Sequence, residues 1–371
     1  MLRKGKLPEA VLRRSVLRLI HRKNSDIQKG PAVGNDCAAL LVNQGELCVL
    51  SSDPMTGDAG QIGRAAVITA LNNLAASGAA PSCVMLSLCL PVDTEEEELR
   101  QIIRDADEAA LEEGAEIAGG HTEVTDAVTV PVLTVTAVGF RRAAPVTDEK
   151  PDEADMNRQE KINRQEKINR LEKTDLQKKA DLPENKNCLA VSDDRPYPGM
   201  DIVITKWVGM EATWMLAERR HNELRSRFSE HFLTEAAGMK SLLSVRKEAE
   251  IAERCGAEAM RDVSRGGIFG ALWEFAERGG IGLDIDLRAI PIRQETVEIT
   301  EFFGMNPYEI LSGGSLLIAA RDGHRLVRKL AENGIHAAVA GVTTDKKDRL
   351  LRNGEEIRFL DKPQADSLLI L

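Results

Sequence analysis

A stretch of 40 residues, 148–187, limits what this chain can fold into. Of these residues 21 are charged, 11 acidic and 10 basic, and very few are bulky and apolar. Such a composition cannot bury enough apolar surface to form a core. The sequences on either side are each long enough to bury a core of their own. We therefore predict an N-terminal domain at 1–147, a linker or insertion at 148–187 and a C-terminal domain at 188–371.

A six-residue repeat lies within this stretch, with NRQEKI at 157–162 and 163–168 and NRLEKT at 169–174. A period of six does not match the roughly 3.5 or 3.6 residues of helical repeats, so the isoleucines cannot form a continuous apolar seam. We predict a solvated linker or a frayed helical arm. A helix that binds a partner protein is the alternative.

Composition excludes several classes of partner. The net charge of −10 repels phosphate backbones, and aromatic residues make up only 4% of the chain, so nucleic acid is not an expected partner. The six cysteines form no C-x-x-C pair, which predicts reduced thiols and a cytoplasmic location. No apolar run reaches the roughly 18–20 residues of a membrane span, so no membrane is expected.

Apolar runs and helical periodicity alternate on both sides of the charged stretch, which predicts an α+β protein. Strands are expected at 47–53, 83–91, 128–139, 281–287 and 315–320, helices at 9–22, 60–78, 245–254 and 268–278, a strand and then a helix within 198–220, and a loop at 260–268.

Acidic and amide side chains are the first candidates for a site. Asp36 in GNDCA, Asp53 in SSDP and Asp262 in RDVSRGG provide the oxygen ligands that Mg²⁺ prefers. Taken singly, each of them is more typical of a turn or a helix cap than of a metal site. Asn72 and Asn73 lie in an alanine-rich helix, which disfavours Asn, so they either make polar contacts in a site or face solvent.

Three glycine motifs could contact phosphate, although none is a P-loop or a dinucleotide fingerprint. They are GGHTEVT (119–125), SRGGIFG (264–270) and LSGGSLL (311–317). In the second motif, free glycine amides at a helix start would lie beside an arginine, as phosphate sites require. Paired glycines also occur in ordinary turns. The candidates for cofactor binding are Gly119, Gly120, Arg265, Gly266 and Gly267.

Three other side chains have two interpretations each. Lys4 and Lys6 flank Gly5 in a segment that could close over a phosphate, or are ordinary surface lysines. His121 is either a catalytic base or a structural histidine.

The order of these motifs resembles the aminoimidazole ribonucleotide synthetase-like superfamily. The segments that carry the resemblance are GNDCA, SSDP, LNNLAASGAAP (71–81), GGHTEV, DVSRGG and GMNPYEILSGGSLL (304–317). The superfamily includes selenophosphate synthetase, thiamine-monophosphate kinase and the hydrogenase maturation factor that dehydrates a carbamoyl group. The resemblance covers the chain outside 148–187 and is closest to the hydrogenase maturation factor branch.

The resemblance implies a homodimer whose mixed N-terminal sheets form a β-barrel across the two subunits, with a C-terminal α+β domain. ATP and Mg²⁺ would lie in a cleft lined by the N-terminal domain. Lys4, Lys6, Asn72 and the glycine motifs would contact the nucleotide. By the same resemblance, the catalytic candidates are Asp36, Asp262 and His121, and the metal ligands are Asp36, Asp53 and Asn73, the last standing where relatives have Asp.

Two departures shape the functional expectation. The hydrogenase maturation factor carries its substrate group on a C-terminal cysteine, whereas the last cysteine here is Cys255, so we do not expect the carbamoyl-to-cyanide reaction. The first cysteine, Cys37, lies inside the acidic motif, so selenophosphate synthetase chemistry is not expected either.

The sequence therefore predicts an ATP- and Mg²⁺-dependent phosphoryl-transfer enzyme that acts on a small amide- or phosphate-bearing metabolite. The first alternative is a nucleotide-binding maturation or assembly factor, which would dock a partner protein through the charged stretch or the C-terminal tail. The second is a dimer that binds another anion.

Overall fold

Strands from the first part of the chain form a six-stranded mixed sheet. Its order is β1-β2-β3-β6-β4-β5, and β4 and β5 are its parallel pair. The strands are β1 Ile27–Lys29, β2 Cys37–Asn43, β3 Glu46–Thr56, β4 Ala80–Leu90, β5 Glu116–Val124 and β6 Val132–Arg142, and the helices are α1 Glu9–Ser15, α2 Ala59–Ala76 and α3 Glu96–Glu112.

The computed structural model describes residues 9–15, 17, 27–29, 32–33, 35, 37–43, 45–142 and 195–362. The described residues on both sides of the insertion belong to one compact unit. The predicted insertion at 148–187 lies outside the described residues, so its repeat and the domain boundaries on either side of it stay predictions.

The alanine-rich sequence of α2 is explained by its packing. Most of α2 is buried between the six-stranded sheet and the rest of the unit, and its small side chains let other elements approach closely. At Gly63 an added Cβ would lie 2.2 Å from the carbonyl oxygen of Ile102 in α3, so the two helices cross at a distance that only glycine permits. α2 therefore has a fixed position from which to present its polar residues.

The later part of the chain forms a seven-stranded mixed sheet in the order β13-β12-β9-β11-β7-β10-β8, with β9 and β12 parallel. Its strands are β7 Asp201–Thr205, β8 Ala257–Val263, β9 Gly282–Asp286, β10 Ser315–Ala320, β11 Ala337–Thr344, β12 Arg349–Asn353 and β13 Glu356–Phe359. Its α-helices are α4 Met210–Arg219, α5 His221–Leu224, α6 Glu230–Gly238, α7 Arg246–Arg254, α8 Gly267–Gly279, α9 Gln294–Phe302 and α10 Gly323–Glu332, with 3₁₀ helices at Met239–Leu242 and Leu287–Ala289.

The predicted α+β class with mixed sheets is confirmed. Within the described residues the six-stranded sheet is open, with β1 and β5 at its edges, so the predicted barrel would require a second subunit. None of the described helices combines the length and the apolar character that a membrane span requires.

Two sequence-based predictions about local structure are wrong. The predicted loop at 260–268 begins as strand β8, which pairs with β10 and places Asp262 opposite Leu316. The sequence does not show this strand because two residues near its end, Arg261 and Asp262, are charged yet buried. The GGHTEV segment, which the resemblance implies to be a nucleotide loop, lies entirely in β5, which is parallel to β4.

Candidate functional site

An ion pair joins the two sheets at the predicted site. Arg265 lies in the turn between β8 and α8, and Asp53 lies in β3. Arg265 Nη1 donates to Asp53 Oδ1 over 2.7 Å, and Nη2 donates to the carbonyl oxygen of Pro54. The side chains are partly exposed, at 31% and 24% respectively. A guanidinium in this position can also bind phosphate oxygens, whose geometry it matches as well as that of a carboxylate.

Ser51, Asn73 and Asp262 form a second group of polar side chains, which we call the acid–amide cluster. They come from β3, α2 and β8 and are only 2%, 5% and 4% exposed. We assign the Asn73 amide so that Oδ1 accepts from Ser51 Oγ over 2.9 Å and Nδ2 donates to Asp262 Oδ1 over 2.7 Å. This amide orientation satisfies both ends of the side chain, whereas the opposite one would direct an amide oxygen at the carboxylate. Asn73 therefore makes polar contacts and does not face solvent.

A cavity beside the acid–amide cluster is lined by residues that the sequence analysis missed. Lys29, Cys37 and Arg278 line it together with Asn73 and Asp262. Cys37 Sγ donates to the backbone oxygen of Asn73 over 3.3 Å. The position of Cys37 next to Asp36 in GNDCA could have indicated it. Lys29 in an edge strand and Arg278 in the last turn of α8 carry no sequence signal.

The glycine turn before α8 differs in detail from the expectation. Gly266 and Gly267 have φ angles of +80° and +62°, which favour glycine. The Gly267 amide donates to the carbonyl oxygen of Ser264 over 3.1 Å and so is not free for a phosphate. An added Cβ at Gly267 would lie 2.4 Å from the carbonyl oxygen of Tyr308. Close approach of these two backbones is what this glycine permits, and its role in cofactor binding stays a prediction.

The structure does not bring the GGHTEV motif to this site. β5 is three strands away from β3, about 14 Å at the usual strand spacing. His121 and Glu123 side chains are 71% and 56% exposed, and His121 Nε2 lies 3.4 Å from Glu123 Oε2. At Gly120 an added Cβ would lie 1.9 Å from the carbonyl oxygen of Leu86, so the pairing with β4 requires glycine. The roles predicted for Gly119, Gly120 and His121 stay predictions.

Asn72 makes contacts of a different kind from those of its neighbour Asn73. Its Nδ2 donates to the carbonyl oxygen of Leu243 over 2.8 Å, and its Oδ1 accepts from the Val245 amide over 3.0 Å. These bonds tie α2 to the segment before α7, so the alternative of a solvent-facing side chain does not apply. Asp36, Lys4 and Lys6 lie outside the described residues.

The described residues do not fit a Mg²⁺ ion in this conformation. Asp53 is bonded to Arg265, and Asp262 is bonded to Asn73. In the part of the chain that the structure describes, no three His, Cys, Asp or Glu side chains are placed to hold one metal ion. The predicted metal site stays a prediction that depends on Asp36 and on a rearrangement of these pairs.

Two family models match the chain, one on each side of the insertion. The family model for the N-terminal domain of AIR synthase related proteins matches residues 34–140, and the model for their C-terminal domain matches residues 198–351.

Among curated relatives, the chain is 25% identical over 320 residues to a protein of Methanocaldococcus jannaschii named for hydrogenase expression and formation, covering 85% of this chain and 80% of that one. It is 24% identical over 298 residues to carbamoyl dehydratase HypE of Rhizobium leguminosarum, covering 78% of this chain and 70% of that one.

Solved structures show the same fold. HypE in the HypE–HypF complex superposes with a TM-score of 0.67 at 19% identity, covering 95% of this chain and 100% of that one. HypE solved with ATP superposes with a TM-score of 0.63 at 18% identity, covering 99% and 98%.

Proposed function

We propose that this chain, which belongs to the AIR synthase related protein family, binds ATP at the junction of its two sheets. One observation carries the proposal: segments far apart in sequence bring Asp53, Arg265 and the acid–amide cluster together there. The similarity in fold to HypE solved with ATP supports it.

We further propose that the reaction is phosphoryl transfer to an oxygen of a small amide- or phosphate-bearing metabolite. Such a step depends on positioning and on neutralising phosphate charge more than on covalent chemistry by the protein. Arg265 suits this role, because its guanidinium is always protonated and can donate two parallel hydrogen bonds.

Thermal unfolding with ATP tests the nucleotide site. ATP at about 100 times its Kd should stabilise the protein by about 2.7 kcal/mol and raise Tm by a few degrees. Arg265→Gln keeps hydrogen-bond donors but removes the charge, so it should lose most of the shift. Arg100→Gln, at an exposed position in α3, is the matched control and should retain it. Equal shifts in all three proteins would place ATP elsewhere, and no shift in wild type would end the proposal.

The second candidate function is that of a maturation or assembly factor. It is favoured by the names of the curated relatives and by HypE having been solved in a complex with HypF, with 100% of that HypE chain covered. A chain of this kind would bind ATP and turn it over only with a protein partner. ATP hydrolysis, measured with carboxamide metabolites and separately with a HypF-type protein, distinguishes the two functions. Stimulation by a metabolite indicates the enzyme, and stimulation only by the protein indicates the assembly factor.

The homodimer belongs to the same proposal. The six-stranded sheet exposes large apolar side chains, among them Leu41, Val42, Met85 and Phe140 at 38% to 50%. Covering such side chains is the usual reason for sheets to associate. The cytoplasmic location also stays a proposal; in the described part of the chain, Cys37, Cys48, Cys83, Cys89 and Cys255 form no disulfide.

A further inference from the structure

Both described carboxylates of the site have partners from the protein itself, a neutral amide at Asp262 and a guanidinium at Asp53. Asp262 is 4% exposed, and a carboxylate that is so deeply buried must be compensated by hydrogen bonds or positive charge. Asn73 provides hydrogen bonds from one side, at 2.7 Å to Oδ1 and 3.3 Å to Oδ2. Asp53 receives a full positive charge from Arg265 over 2.7 Å.

The residue type at position 73 decides whether the negative charge of Asp262 in the acid–amide cluster is compensated by the protein. A carboxylate at 73 would lie about as close to Asp262 as the amide does now, and two carboxylates at such a distance require a shared proton or a cation. The Asn73 amide removes that requirement, because it donates to Asp262 and accepts from Ser51. The cluster is therefore complete without a metal ion.

Arg265 has the corresponding role at the exposed end of the site. Its guanidinium contacts Asp53 Oδ1 and the carbonyl oxygen of Pro54 simultaneously, which fixes the orientation of the side chain. It brings one positive charge to the place where the proposed nucleotide phosphates would lie.

We infer that Asn73 and Arg265 replace a divalent cation at Asp262 and Asp53, so that these two acids hold no metal and ATP binds without one held by them. The inference rests on the proposed nucleotide site for ATP, but its metal part concerns the protein alone. Asp36 is not part of it.

A titration of the protein with Mn²⁺ alone tests the metal part of the inference. The electron paramagnetic resonance signal of free Mn²⁺ measures how much of the ion is bound. Wild type should hold no Mn²⁺ through Asp53 or Asp262. Asn73→Asp should bind Mn²⁺ at least about tenfold more tightly than wild type, because a second carboxylate completes an oxygen site. Ala75→Asp, which adds the same charge to the same helix, should not.

Two outcomes would overturn the inference: Mn²⁺ binding by wild type that is lost in Asp53→Asn or Asp262→Asn, or no gain of affinity in a folded Asn73→Asp. Binding by wild type that survives both substitutions supports it, since other residues then hold the ion. The wild-type measurement decides the question even if Asn73→Asp does not fold.

Thermal shifts by ATP in Mg²⁺ and in EDTA separate this inference from the proposed function. Equal shifts in both solutions are expected. A shift confined to Mg²⁺ and lost in Asp53→Asn would overturn the inference and leave the ATP site in place. Absence of any shift would remove the ATP site, and the Mn²⁺ experiment would still decide the metal part.

Discussion

Single residues set the geometry of the turn that carries Arg265. Gly266 and Gly267 share a left-handed backbone, but their surroundings differ. An added Cβ at Gly266 would have its nearest neighbour at 3.6 Å, whereas at Gly267 it would meet the Tyr308 carbonyl oxygen at 2.4 Å. Substitutions at these two neighbouring glycines therefore distinguish the cost of backbone strain from the cost of a steric clash.

We expect Gly266→Ala to lower the free energy of unfolding by about 1 kcal/mol, the usual cost of a left-handed alanine. Gly267→Ala should cost about 3 kcal/mol, because the backbone of residues 308–310 must also move. Urea denaturation of both variants measures the difference. Equal losses would mean that the contact with Tyr308 does not constrain the turn.

The Glu113 side chain, at the end of α3, gives stability a dependence on pH. Burial raises the pKa of this carboxyl above its usual 4.5, against the opposing effects of a hydrogen bond with Ser244 and the charge of Arg246. Between the ordinary and the raised pKa the folded protein binds more protons than the unfolded chain. The free energy of unfolding therefore falls as pH rises through this window.

Glu113→Gln should reduce that slope and raise Tm relative to wild type near pH 7, since the amide is neutral at every pH. Glu253, whose pKa burial also raises, leaves part of the slope in place. Tm measured at several values between about pH 4.5 and 7 checks this. The exposed Glu108→Gln in α3 is the control, and an unchanged slope in Glu113→Gln would contradict the argument.

At the scale of elements, residues 243–245 form hydrogen bonds with side chains from two other parts of the fold. Asn72 of α2 bonds to the backbone of Leu243 and Val245. Lys206, directly after β7, donates to the Ser244 carbonyl oxygen and lies 2.6 Å from Glu248 Oε1 of α7. Both charged side chains are buried, and burial lowers the pKa of Lys206 despite the attraction of Glu248. This segment connects α2, which presents Asn73, to the second sheet.

Lys206→Met should destabilise the protein by about 3–5 kcal/mol, because it leaves Glu248 buried without its positive partner. Lys206→Met combined with Glu248→Leu should recover much of the loss, since no unpaired charge remains. Denaturant unfolding of both variants provides the comparison. If the double variant is no more stable than the single one, the uncompensated charge is not the cause.

At the scale of the whole molecule, the outer face of the six-stranded sheet determines the expected assembly. Met85 in β4 lies opposite Thr136 of β6, and Phe140 lies four residues further along β6 on the same face. They are 50% and 38% exposed. A charge introduced on this face should oppose association, because desolvating it has no compensation in an apolar interface.

We expect wild type to be a dimer by light scattering after size exclusion, and Met85→Glu with Phe140→Glu to be a monomer. Val342→Glu adds charge at an apolar position of the second sheet, 41% exposed, and should leave the dimer intact. A monomeric wild type would exclude the proposed barrel.

The sequence by itself determined the local elements and the family. Alanine content predicted α2, a run rich in β-branched residues predicted β6, an apolar run predicted β10, and the motif order identified the superfamily, because these signals depend on residues close together in the chain. The polar pair Arg261–Asp262 hid β8, since a strand of buried charges has no apolar pattern.

Only the tertiary structure decided what the site residues contact. Asn72 and Asn73 are adjacent in sequence, yet one holds a backbone segment and the other holds Asp262. Arg265 contacts Asp53 across a sequence separation of 212 residues, and Lys29 of an edge strand lines the cavity. No local pattern encodes such contacts, because they exist only after the packing of two sheets on α2 has brought distant segments together.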